Sequence, residues 1–130
     1  MRVEPDQAAE TAAIESTVRD YFEGWFEGDA ERMRRALHPA LVKRGYEGDG
    51  DALEDGDTSQ SMIDATARGV GTRYGPDRRH FEIEVVDVYR TIANVTVRSG
   101  VYSEYLGLVR TQTGWKIANA LWRFVDEGDG

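Results

Sequence analysis

Glu104 stands in the run Tyr102-Ser-Glu-Tyr-Leu-Gly-Leu108, where it alternates with Tyr102, Leu106 and Leu108. A strand shows alternate residues to opposite faces, so this carboxylate shares a face with apolar neighbours. Burial penalises its charge and makes proton uptake and release usable chemistry. The competing reading is an ion pair with Arg98, Arg110 or Arg123 on neighbouring strands. His38 is one of two histidines and sits in His38-Pro39 at the end of a helical segment. An imidazole changes charge near neutral pH and suits general acid–base work. The competing and favoured reading is a helix-ending side chain that donates to a backbone carbonyl. Asn119 shares a parity with Trp115, Ile117 and Leu121. An amide on such a face costs about 1–3 kcal/mol unless a ligand or a backbone group pairs with it. Tyr21 and Trp25 lie one helical turn apart. Tyr105 lies on the parity of Ser103 and Gly107, and Met62 on a later helix. Aromatic bodies with polar tips and an adaptable thioether suit a cavity for an amphiphilic ring compound. Core packing is the alternative for Tyr21, Trp25 and Met62.

Other chemistries find no support. The chain has no cysteine and no paired histidines, so neither a thiolate nor a histidine-based metal site is expected. The aspartates at 49, 51, 55 and 57 lack the ligand order of a calcium loop and read as a solvated acidic loop. There is no glycine-rich phosphate loop and no nucleophile elbow, so no cofactor is expected. The formal net charge of −8 repels nucleic acid and anionic lipid, and the short basic clusters Arg32/Arg34/Arg35 and Arg78/Arg79/His80 read as solvated faces. No apolar run reaches the roughly 18 residues a membrane span needs, and the first residues carry no apolar signal core. A cytoplasmic protein is expected.

The elements that must position these residues follow from periodicity. A chain of 130 residues makes one domain. Residues 1–7 are expected as a flexible arm, 8–125 as the domain and 126–130 as an acidic tail. Ile14, Val18, Tyr21, Phe22, Trp25 and Phe26 recur at steps of three and four, which predicts a helix stopped by Gly28. Asp29 caps a second helix, 30–37, ended by His38-Pro39. Leu41 to Tyr46 is a short strand candidate, with Asp51 to Glu54 as a weak partner. Thr58 or Ser59 caps a third helix, with Ser61 and Asp64 as a capping pair. Strands are predicted over 81–89 and 91–98, then a hairpin over 101–125 turning at Gln112-Thr113-Gly114. Phe81–Tyr89 shows mixed parity: Ile83 and Val85 alternate one way, Val86 and Val88 the other. Trp122 and Phe124 oppose Asn119 in parity and are placed toward a dimer interface. Helices followed by strands indicate an α+β fold, with helices on one face of an antiparallel sheet.

Three segments carry a family resemblance: Ile14 to Ala30, Met33 to Val42 with Leu37-His38-Pro39, and Tyr102 to Leu108 joined to Gly114-Trp-Lys-Ile-Ala-Asn-Ala-Leu-Trp122. Together they resemble the nuclear transport factor 2-like superfamily, and within it the putative lumazine-binding branch near the polyketide-cyclase-like proteins. The resemblance implies a cone-shaped (cystatin-like) fold, three helices on a curved antiparallel sheet, with a pocket at the open end. It also implies a homodimer through the sheet. Glu104 and Gly107 depart from that branch, which would place an aspartate and a larger polar residue there. The expected function is binding of an apolar or heteroaromatic small molecule by Tyr21, Trp25, His38, Met62, Tyr105 and Asn119. The alternatives are a cofactor-free isomerase, cyclase or dehydratase using His38 or Glu104 as acid–base, and a structural homodimer with a filled pocket.

Overall fold

The computed structural model describes residues 5–46, 48, 50–54 and 56–126. Residues 1–4 and 127–130, most of the expected arm and tail, lie outside the described residues, as do positions 47, 49 and 55 of the acidic loop. Helix α1 spans Pro5–Glu27 and so begins within the expected arm. Proline is compatible with a first turn, because its missing N–H is one that no helix pairs there. Ile14, Val18, Tyr21, Phe22 and Phe26 form its buried stripe. Gly28 stops the helix at φ 72°, a left-handed conformation open to glycine. Asp29 caps α2 (Ala30–Ala36), accepting from the Arg32 N–H at 3.2 Å.

The two helices are riveted by charge. Arg32 reaches Asp20 at 3.0 Å and Glu23 at 2.6 Å, and Arg35 reaches Asp20 at 2.8 Å. The Arg35 hydrogen bond, seconded by Arg32, holds the Asp20 carboxyl below the usual aspartate range. The basic cluster at 32–35 is thus in part an inter-helix clamp.

The chain turns from α2 directly into β1 (Leu37–Gly45). No strand forms at 51–54 among the described residues: there the Glu54 N–H donates to the Gly45 carbonyl at 2.9 Å, and an isolated bridge joins Lys43 to Asp57 further along. Helix α3 (Ser59–Ala67) is capped by Thr58, whose capping partner is Ser61 and not the pair Ser61/Asp64. Two short 3-10 turns, Val70–Arg73 and Pro76–Arg78, lead to β2 (Phe81–Tyr89), β3 (Ile92–Ser99), β4 (Tyr102–Thr111) and β5 (Gly114–Phe124).

The sheet order is β1-β5-β4-β3-β2. All neighbours are antiparallel except β1, which joins β5 in parallel after the long crossover through α3 and the first three strands of the meander. Three irregularities bend the sheet around α1. One lies between Leu37 and Val42, one between Val85 and Asp87, and one between Gly107 and Leu108 opposite Ala118. Each inserts residues on one strand and increases local twist. The second explains the mixed parity of β2, since Val86 is the extra residue. The core of Phe22, Ile14, Met33, Leu106, Leu108 and Ile117 fills the space between α1 and the concave face. Thr17 Oγ1 donates to the Trp115 carbonyl at 3.0 Å and fixes the helix against β5. Among the described residues, no helix is long and apolar enough to cross a membrane.

Candidate functional site

At the open end of the cone, α1, β1, β4 and β5 enclose a cavity of about 170 Å³. Its floor is polar and its walls are aromatic. Tyr21 Oη donates to Glu104 Oε1 at 2.8 Å and accepts from Lys43 Nζ at 2.5 Å. The ammonium and the carboxylate themselves stand 3.9 Å apart, joined through the phenol. Glu104 is 2% exposed and Lys43 8%. A buried charge is tolerable only when paired, and this pair is neutral as a unit. Burial first, and the neighbouring Glu104 charge second, push the Tyr21 phenol well above its ordinary range.

Each member arrives by a local rule. Tyr21 belongs to the buried stripe of α1. Glu104 lies on the inward parity of β4 with Tyr102, Leu106 and Leu108. Lys43 lies on the inward parity of β1 with Leu41 and Gly45. The Asp57 N–H donates to the Lys43 carbonyl at 2.7 Å and the Lys43 N–H to the Asp57 carbonyl at 3.2 Å, which fixes the backbone that aims the side chain. The ammonium also lies 5.0 Å from the Tyr21 ring centroid and 5.5 Å from that of Trp122.

The walls are Trp25, Tyr102, Trp122, Phe124, Phe22 and Met62, and Val70, Arg73 and Asp57 complete the lining. Trp25 Nε1 donates to Tyr102 Oη at 3.0 Å. Burial raises the Tyr102 phenol far above its usual range. Ser99 Oγ accepts from the N–H groups of Val101 (3.0 Å) and Tyr102 (2.8 Å), which sets the turn that delivers Tyr102. Glycine at 71 permits Trp25 its place: a Cβ there would lie 2.5 Å from the Trp25 carbonyl oxygen and 2.6 Å from its ring. Glycine at 45 lets Trp122 fold across β1 in the same way, a Cβ falling 2.9 Å from the indole.

Among the described residues, every fully buried side-chain nitrogen and oxygen has a hydrogen-bond partner. Glu104 Oε2 makes no such bond within the described protein, and Lys43 Nζ spends one of its three donors on Tyr21. An acceptor and donors are therefore left to address the cavity.

Tyr21, Trp25, Met62 and Glu104 come together here. His38, Tyr105 and Asn119 do not. His38 lies in β1, not at a helix end, and its Nδ1 accepts from the Ala40 N–H at 3.0 Å within the irregular stretch before Val42. It is absent from the cavity wall. Tyr105 is 56% exposed on the convex face, where the parity of Ser103 and Gly107 puts it. Asn119 is corrected by the bulge at Ala118. Trp115 and Ile117 face inward, the extra residue shifts the phase, and Ala120, Trp122 and Phe124 face inward after it. Asn119 is thereby turned outward, exposed above Gly107. The same shift takes Trp122 and Phe124 from the expected interface into the cavity. The expected arginine partners of Glu104 are also elsewhere. Arg98 bonds Ser103 Oγ at 3.1 Å, Arg123 pairs with Asp126 at 3.1 Å, and Arg110 pairs with Glu10.

The family model described as putative lumazine-binding matches residues 9–123. The chain belongs to that family, and its fold is that of the nuclear transport factor 2-like superfamily. An NTF2-like protein of unknown function from Silicibacter pomeroyi superposes with a TM-score of 0.74 at 20% identity, covering 91% of this chain and 98% of that one. A ketosteroid isomerase-like protein from Erwinia carotovora atroseptica gives 0.60 at 19%, covering 95% and 99%. A domain with a cystatin-like fold from Nostoc punctiforme gives 0.61 at 16%, covering 93% and 80%. At these identities the likeness concerns the fold alone. No curated protein matches the chain.

Proposed function

We propose that this domain binds a small uncharged apolar or heteroaromatic compound in the cavity floored by Tyr21, Lys43 and Glu104. The observation that carries the reading is a Glu104 carboxylate oxygen and Lys43 donors without a protein partner, open to an aromatic slot at its base. Unspent polar atoms at that depth gain by meeting a ligand's N–H and C=O groups. The floor carries one positive and one negative charge, so a neutral ligand matches it better than an ion. The volume of about 170 Å³ lies below the roughly 300 Å³ where drug-sized pockets begin, and close to an engineered cavity of about 150 Å³ that takes up benzene. That limits the ligand to one ring or a small fused pair. Lumazine, the compound in the family's description, is a fused pair at the upper end of this range.

Trp25 and Trp122 line the cavity and report on its occupancy. Titration of their fluorescence with single-ring heteroaromatics and with lumazine is expected to saturate. Glu104→Gln is expected to weaken binding by roughly tenfold or more, the worth of a charged hydrogen bond. Quenching that never saturates, or that ignores the substitution, refutes the reading.

A second reading concerns the convex face. Val42, Val86, Tyr89, Ile92, Tyr105 and Leu121 are all about half-exposed or more on the strands. Such an apolar face suits a second copy of the chain. Sedimentation is expected to give a dimer that Tyr105→Arg converts to a monomer. A monomeric wild-type chain at micromolar concentration sinks this second reading.

A further inference from the structure

The geometry points to Lys43 as a carbonyl-capturing nucleophile that forms an imine with a small ring-bearing aldehyde or ketone in the cavity. The inference rests on the reading of this cavity as a ligand site and names a class of compound and a reaction for it. An imine-forming lysine needs an amine that a small molecule can reach, a route by which the ammonium sheds its proton, and an acid to expel water afterwards. The cavity floor holds all three.

Lys43 Nζ, Tyr21 Oη and Glu104 Oε1 form a continuous chain with bonds of 2.5 and 2.8 Å. A proton moves from Nζ to the phenol oxygen while the phenol proton moves to Oε1. An ammonium–carboxylate pair becomes an amine and a carboxylic acid, and the phenol is unchanged. Both ends of this chain are buried, so the transfer runs within the cavity floor. The phenol itself is held against ionisation, so it passes the proton without becoming a phenolate.

The reaction then balances. After rotation about Cε–Nζ, the amine lone pair attacks the carbonyl carbon. The C–N bond forms, the C–O π pair moves to oxygen, and a nitrogen proton passes to that oxygen to give the carbinolamine. The relay run backwards returns the stored proton from Glu104 through Tyr21 to the carbinolamine hydroxyl. That hydroxyl leaves as water. The iminium left on Nζ is a cation beside the restored Glu104 carboxylate, as the ammonium was, so product and starting state carry the same charge. The indole of Trp122 and the ring of Tyr21 flank Nζ and offer faces to that cation. Lys116 lacks this environment: its Nζ donates to the Arg35 carbonyl at 2.6 Å in an exposed setting.

The test uses benzaldehyde as probe, sodium cyanoborohydride to reduce the imine, and peptide mapping by mass spectrometry. Lys43 is expected to acquire a benzyl group at least roughly tenfold faster than Lys116, as an activated amine should. Glu104→Gln is expected to slow that labelling by roughly a hundredfold, the scale of a lost proton-transfer partner. Tyr21→Phe breaks the same relay and serves if the first variant does not fold. Labelling of Lys43 no faster than of Lys116, or labelling that both variants leave unchanged, overturns the inference. Benzyl alcohol, which has the ring but no carbonyl, separates the two readings by tryptophan fluorescence. If it binds while Lys43 stays unlabelled, the nucleophile is refuted and the cavity reading stands. If neither probe binds, both are refuted.

Discussion

Replacing Lys43 by methionine keeps most of the side-chain volume and removes the cation paired with the buried Glu104 carboxylate. At a separation of 3.9 Å, two unit charges attract by about 4 kcal/mol at an effective dielectric of ~20. Breaking one side of a buried pair typically costs about 3–5 kcal/mol, because the survivor is left charged and out of water. The Tyr21 hydroxyl still donates to Glu104 and recovers part of this. Lys43→Met is therefore expected to lose about 3 kcal/mol at pH 7. The assay is urea unfolding followed by tryptophan fluorescence at pH 7. The double variant Lys43→Met/Glu104→Gln should recover about 2 kcal/mol of the loss, giving a coupling energy that two independent sites would not show. A loss under about 1 kcal/mol, with no recovery in the double variant, would refute the claim that these groups work as one buried unit.

Further expectations concern neighbouring parts. Tyr21 is held unionised in the folded state, so it stabilises below the ordinary tyrosine range of about pH 10 and the contribution is lost as pH rises above it. Tyr21→Phe should show a shallower alkaline loss of stability in unfolding experiments at stepped pH. Asp20 is held low by Arg35 and Arg32, so its contribution is present above about pH 4 and disappears as pH falls through its lowered folded value. Asp20→Asn should flatten the acid limb of the stability profile, measured the same way. Gly71→Ala forces a Cβ against the Trp25 backbone and indole. It should cost about 1–3 kcal/mol and shift the tryptophan emission as Trp25 moves into the cavity.

How far the sequence was legible differs by element. The stripe from Ile14 to Phe26 and the alternation around Glu104 follow simple periods, and they place Tyr21, Trp25 and Glu104 on inward faces. Tyr105 was betrayed by its own parity, which opposes that of Glu104; its aromatic character outweighed its position. Asn119, Trp122 and Phe124 were not legible, because one bulge residue at Ala118 reverses the phase of β5 and leaves no mark in composition. His38 was read as a helix end, but the chain passes from α2 straight into a strand at Leu37. Lys43 had a signal in Leu41-Val-Lys-Arg-Gly45, where it shares the parity of Leu41. Lysine is so rarely buried that the pattern reads as a solvated edge until the carboxylate across the sheet is known.

The most direct test of the central claim is a crystal structure of the protein soaked with a single-ring heteroaromatic probe. Density is expected within the cavity between Trp25, Tyr102 and Trp122, with polar atoms in hydrogen-bond reach of Glu104 Oε2 and Lys43 Nζ. Density confined to the convex face beside Asn119 and Gly107, with the cavity closed by Trp25 and Phe124, would contradict a ligand site at this floor.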